Sequence, residues 1–358
     1  MPGLITHSKV FIETINLLNN KERKNPYYKS IVTLFKTSSF RRAGLFGTVG
    51  PNIFDFLPGR KTRLSYRNEI SHLLHNDVSE KFITSMINKL FSYGDYNTEW
   101  SATQRAYLYG YLSHVITDSI FHPFILYWSG FPNGDKKKEI YYYREQHLLF
   151  EYNIDLYFDY LHGSDRYNFD IMDMLPEKNK IDLAIKDYLL SSINSVIPQF
   201  NLKNNWIKEK KYDNHASGYG YLDMVPYFIQ LSYRIQRSNT KYLIKLINNM
   251  KRNKLFFLDL FVRYPPPRRI NRHILNLHRE RWYNPTGSSG LHYESVEDLL
   301  KLSSERTAFI WEGLEAKLYY NDGCISDILD VAKLNTYTGE MGTGFDDLKI
   351  KRSIRLRF

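Results

Sequence analysis

Residues 101–128 read SATQRAYLYGYLSHVITDSIFHPFILYW, and this stretch decides the fold. Tyr107, Leu108, Tyr111, Leu112, Ile116, Phe121 and Phe124 recur at helical spacing. With Ser101 as N-cap, the pattern predicts one long helix ending near Trp128. Inside it lies His114-Val-Ile-Thr-Asp118-Ser-Ile-Phe-His122-Pro123. Each step of four residues advances about 40° around a helix, so His114, Asp118 and His122 share one stripe. Two imidazoles and a carboxylate on one face suit zinc in both ligand type and spacing. In so apolar a helix these polar groups need partners, and a cation satisfies all three.

Beyond the turn Phe131-Pro132-Asn133-Gly134-Asp135, the pattern over 139–160 is again helical and carries His147 and Glu151, also four apart. Packed antiparallel, the two helices would bring five nitrogen and oxygen ligands together, as in a metal cluster within a bundle. The one cysteine, Cys324, excludes a multi-thiolate site and a disulfide framework. Diiron bundles place Glu and His three apart, whereas here the spacing is four.

The rest of the chain is read as helical too. Helices are expected from Thr6 through Leu18, over 27–40, over 65–90 in one or two pieces, and over 179–196, 221–250, 252–262, 268–280 and 295–320. Residues 44–59, with four Gly and two Pro, read as a loop. The basic tail over 349–358 reads as a short strand or a frayed arm. Period-2 runs long enough for a substantial sheet are missing, as are repeats. The expected fold is all-α, a multi-helix bundle in one domain over 1–358. Residues 1–160 carry the metal site and 161–358 form a helical extension. The Pro-rich break near 264–268 is the linker candidate.

A chain 43% hydrophobic and 24% charged is not a disordered one. Its net charge of +11 favours anionic partners: nucleic acid, a phospholipid surface met peripherally, or phosphate esters. The runs Lys136–Lys138 and Lys208–Lys211 read as solvated loops. No apolar stretch approaches the roughly 20 residues of a membrane span. The N-terminal residues lack the basic start and apolar run of a signal peptide, so the chain reads as cytoplasmic. A signal removed beforehand would make it secreted.

Together these residues resemble the zinc-dependent phospholipase C family, which is related to the zinc-dependent single-strand nucleases. His114 and Asp118 match that family's His-x3-Asp, and His147 and Glu151 its His-x3-Glu. His122 is the best match to the ligand between them, although here the proline follows it. His7 stands where the family has its early histidine. His75 matches the middle one, with His72 as the alternative. Trp282-Tyr283-Asn284-Pro285 and the helix from Ser295 resemble the family's C-terminal region.

The resemblance implies a helical fold, up to three zinc ions and phosphodiester hydrolysis, with a phospholipid or another phosphodiester as substrate. It also implies a division of ligands. His75, His114 and Asp118, with Asp55 or Asn52, would hold one zinc. His122, His147 and Glu151 would hold a second. His7, the N-terminus and a bridging Asp118 would hold a third, with the Pro2 amine as terminal ligand once Met1 is removed. Asp55 is the candidate catalytic base. In Gly50-Pro51-Asn52-Ile53-Phe54-Asp55, Asn52 occupies the place of a ligand Asp; its amide oxygen can coordinate but cannot act as a base. Two other readings compete: a nuclease with the same site, and a non-catalytic, metal-stabilised helical scaffold. Glu151, where the nucleases tend to have Asp, and the missing disulfides tilt the comparison toward the phospholipase branch.

Overall fold

The computed structural model describes residues 3–21, 25–56, 70–76, 78–134, 136–161, 170–198, 222–237, 270–288, 290–320 and 325–356. The expected helix over 252–262, the break near 264–268, the Lys208–Lys211 run, Cys324 and Pro2 lie outside them. The described elements are α1 (Leu4–Lys21), α2 (Pro26–Lys36), α3 (Ser38–Gly47), α4 (70–75), α5 (Ser79–Phe91), α6 (Glu99–Ser129), α7 (Lys137–Leu161), α8 (Leu183–Val196), α9 (Val225–Arg237), α10 (Val296–Tyr320) and α11 (Ile325–Ala332). The all-α expectation holds: the described sheet is one small hairpin, with Trp282 opposite His292 and Tyr283 opposite Leu291.

Local chemistry sets the helix ends. The Asn25 side chain accepts from the Tyr27 N–H at 2.9 Å, and Pro26 holds the first helical position of α2. Ser295 and Asp298 form a reciprocal box at the start of α10, with the Asp298 N–H donating to Ser295 Oγ and the Ser295 N–H to Asp298 Oδ2. For α6 the cap is Thr98, which accepts from the Ser101 N–H at 3.2 Å, three residues before the expected Ser101. Gly130, at φ +82°, ends that helix.

Every residue from Ser101 to Ser129 is buried, so α6 is the central post, and its sides are covered by α1, α3, α7, α8 and α10. Against α10 it buries the pair Arg105–Glu315 at 3.5 Å, and Trp311 Nε1 donates to the Tyr109 carbonyl at 3.0 Å. Against α3 the approach is closest at Gly47 and Gly110. A Cβ on Gly110 would sit 1.9 Å from the Gly44 carbonyl oxygen, so the crossing tolerates no side chain there. The expected loop over 44–59 is therefore corrected. Its first glycines lie in α3, where they allow this close packing, and a 3-10 turn over Gly50–Phe56 follows. The expected helix over 268–280 is also corrected, to a 3-10 turn at Arg272–Leu275 that leads to the hairpin. As far as residue 356, the tail is neither strand nor frayed. Its Arg352 and Ile354 amides donate to the Tyr127 and Trp128 carbonyls at 2.7 and 2.6 Å, satisfying the open end of α6. No described helix is long and apolar enough to cross a membrane.

Candidate metal centre

The stripe on α6 is a physical surface. His114, Asp118 and His122 are each 0% exposed, and the helices around them supply the remaining groups. From α1, His7 brings Nε2 to 3.2 Å from Asp118 Oδ1, and its ring stacks on His114 with centroids 4.1 Å apart. His114 Nε2 lies 3.0 Å from Asp118 Oδ2. From α4, His75 Nε2 lies 3.5 Å from the same oxygen and 3.4 Å from His114 Nε2. One turn further along α6, His122 meets α7. His147 Nε2 and Glu151 Oε1 are 2.8 Å apart, and the His122 and His147 rings are 5.4 Å apart. Two groups result, His7–His114–Asp118 and His122–His147–Glu151, each with its ligand atoms within 4.8 Å of one another.

The imidazoles are oriented by carbonyls at their far nitrogens. His75 Nδ1 faces the Ser71 carbonyl at 2.6 Å, His114 Nδ1 the Thr48 carbonyl at 2.8 Å, and His122 Nδ1 the Thr336 carbonyl at 2.5 Å. Each contact fixes the tautomer that donates from Nδ1 and leaves Nε2 a lone pair for a cation. Between the alternatives of the sequence reading, His75 is the buried one aimed at Asp118, while His72 is exposed.

Asn52 and Asp55 sit on the 3-10 turn after α3. Gly50 begins that turn at φ +57°, pressed against the His114 ring. Asp55 accepts from Ser71 Oγ at 3.3 Å, one residue's reach from the carbonyl that orients His75. Among the described residues, Asn52 Oδ1, His7 Nδ1 and His122 Nε2 are buried without a hydrogen-bond partner. Buried polar atoms of this kind normally have one. Neutral nitrogens and carboxylate oxygens, several lacking partners, are a donor set that fits zinc.

Electrostatics agrees with ligand readiness. Burial, helped by the adjacent His114, lowers the His7 imidazole from 6.5 to about 4. Burial also drives His122 and His147 well below the ordinary value. Burial alone would raise the Asp118 carboxyl, but the imidazoles of His114, His122 and His7 outweigh it and hold the group well below the usual carboxylate range. His7, His122 and His147 are thus held neutral and Asp118 ionised, the forms that bind a cation. A pH dependence follows for the metal-free protein. The unfolded chain takes up protons on these histidines near 6.5, where the folded chain does not, so stability is full above 6.5 and is lost as pH falls toward about 4. His7 alone carries roughly 3 kcal/mol of this. Chelated protein should therefore melt clearly lower at pH 5 than at pH 7.5; equal melting temperatures would contradict the neutral, buried imidazoles.

A family model described as zinc dependent phospholipase C matches residues 19–198. The chain belongs to that family. The matched span takes in every candidate ligand of the site except His7, which lies upstream of it. No curated protein and no solved structure matches the chain. Family membership accounts for a helical fold carrying His, Asp and Glu groups that can hold metal.

The sequence reading missed the groups that complete the centre from far along the chain. Thr336 orients His122 through its carbonyl, and its hydroxyl donates to the His75 carbonyl at 3.0 Å, so it joins both groups. Tyr337 stacks on His122 at 5.2 Å, and burial raises its phenol. A weak signal existed in the Gly- and Thr-rich run over 335–344. Its partners lie more than 200 residues away, beyond the reach of any local spacing.

Proposed function

We propose that this chain is a zinc-dependent phosphodiester hydrolase of the phospholipase C kind, with phospholipid as its substrate class and the described elements forming one functional domain. Two adjoining ligand groups on α1, α6 and α7, with imidazoles aimed by backbone carbonyls, carry the proposal. Zinc, when bound, supplies Lewis acidity toward phosphate oxygens and lowers the pKa of water toward neutrality.

The chain's own residues do the rest. His7, His114 and Asp118, joined by His75, would hold one part of the cluster, and His122, His147 and Glu151 the other. Asp118 reaches His7 with Oδ1 and His114 and His75 with Oδ2, so its two oxygens can serve two ions. We assign Asn52 as an amide-oxygen ligand and Asp55, held by Ser71, as the group that accepts a proton from the attacking water. The rings of His122 and Tyr337 exclude bulk solvent on one side of the cluster and strengthen charge interactions there.

The test is turnover of three substrates by one preparation: phosphatidylcholine vesicles, a chromogenic soluble diester and single-stranded DNA, each with and without chelator. Hydrolysis of lipid and soluble diester, lost on chelation and restored by zinc, is the expected result. Cleavage of DNA alone would reassign the site to a nuclease. Turnover of none by zinc-loaded protein would make it a metal-stabilised scaffold.

A further inference from the structure

On α7 the ligand stripe does not stop at Glu151. His147, Glu151 and Asp155 follow at steps of four, so Asp155 lies one more turn along the same face. It too is 0% exposed. It reaches the first turn of α1, 150 residues away. The Thr6 N–H donates to Asp155 Oδ1 at 2.9 Å, the Thr6 hydroxyl to the same oxygen at 2.7 Å, and the Ile5 N–H to Oδ2 at 3.2 Å. A helix start leaves such N–H groups open and favours negative charge beside it. The first turn of α1 contains no acidic residue of its own. Asp155 supplies from another helix what a local cap would supply.

The next residue is His7. Unlike His75, His114 and His122, its Nδ1 has no carbonyl or other hydrogen-bond partner among the described residues. The ring is therefore placed by its stacking on His114 and by the backbone beneath it. We infer that Asp155 is the positioning residue of the His7 ligand: by clamping Ile5 and Thr6 it holds His7 Nε2 over Asp118, the task a backbone carbonyl performs for His75, His114 and His122. The inference rests on the metal-centre reading above and extends it to a residue outside the two ligand groups.

The experiment is zinc titration of metal-free protein by calorimetry, with cobalt(II) absorption spectra as a second readout. It compares the unmodified chain with Asp155→Ala, His7→Ala, the double variant and, as reference for the other group, His122→Ala. Asp155→Ala should weaken one metal equivalent by about 10–100-fold and change its cobalt spectrum, as loss of an orienting partner does. It should leave intact the equivalent that His122→Ala removes, which also shows that the variant folds. The double variant should bind no more weakly than His7→Ala, because both changes act through one ligand. Unchanged affinity and spectrum in Asp155→Ala, or losses that simply add in the double variant, would overturn the inference. Should Asp155→Ala not fold, Asp155→Asn decides by the same criteria. Failure of the unmodified chain to bind zinc would overturn the metal reading and this inference with it.

Discussion

Replacing Asp118 by Asn is expected to abolish hydrolysis, by about 10³-fold or more, and to cost the protein more than one zinc ion. The change keeps shape and volume but removes the charge at the point where three imidazole nitrogens converge, at 3.0, 3.2 and 3.5 Å. An Asn there offers one oxygen and one N–H₂ group, so one of its two sides must turn a donor toward a ligand nitrogen or a cation. A carboxylate that serves only one ion would lose one equivalent. One that joins two loses both, and elemental analysis of the variant separates these outcomes. Full zinc content with retained turnover would remove Asp118 from the centre of the site.

The second large effect is expected from Gly50→Ala, a substitution of one methyl group outside the ligand set. Gly50 has φ +57°, a region costly for any residue with a Cβ, and the added atom would lie 2.4 Å from Cγ of the His114 ring. Strain and overpacking together should cost about 3 kcal/mol. The ring must also shift, and it carries both the Thr48 contact and the Asp118 contact. Lower melting temperature and loss of zinc should therefore appear together. A variant that melts lower but retains its full zinc would show that His114 tolerates displacement and is not a tightly held ligand.

What could be read from the sequence divides along a physical line. His114, Asp118 and His122, and likewise His147 and Glu151, were legible because a helix converts a step of four into a shared face. The burial of α6 from Ser101 to Ser129 was legible from its apolar and aromatic run. Residues 44–56 were misread because glycine has two uses, and composition does not separate them. In Gly44, Gly47 and Gly110 it permits helix–helix contact, and in Gly50 a left-handed turn. No local spacing assigns Thr336, Tyr337 or Asp155 to the site. Each acts across 149 or more residues on a partner that only the packed bundle brings near. Ligand types are thus set by local pattern, and the orientation of those ligands by tertiary contacts.

The most direct test of the central claim is an anomalous difference map at the zinc edge, from crystals grown without chelator. The account predicts peaks between His7, His114 and Asp118 and between His122, His147 and Glu151. An empty map at both positions, or zinc bound only elsewhere on the surface, would contradict it.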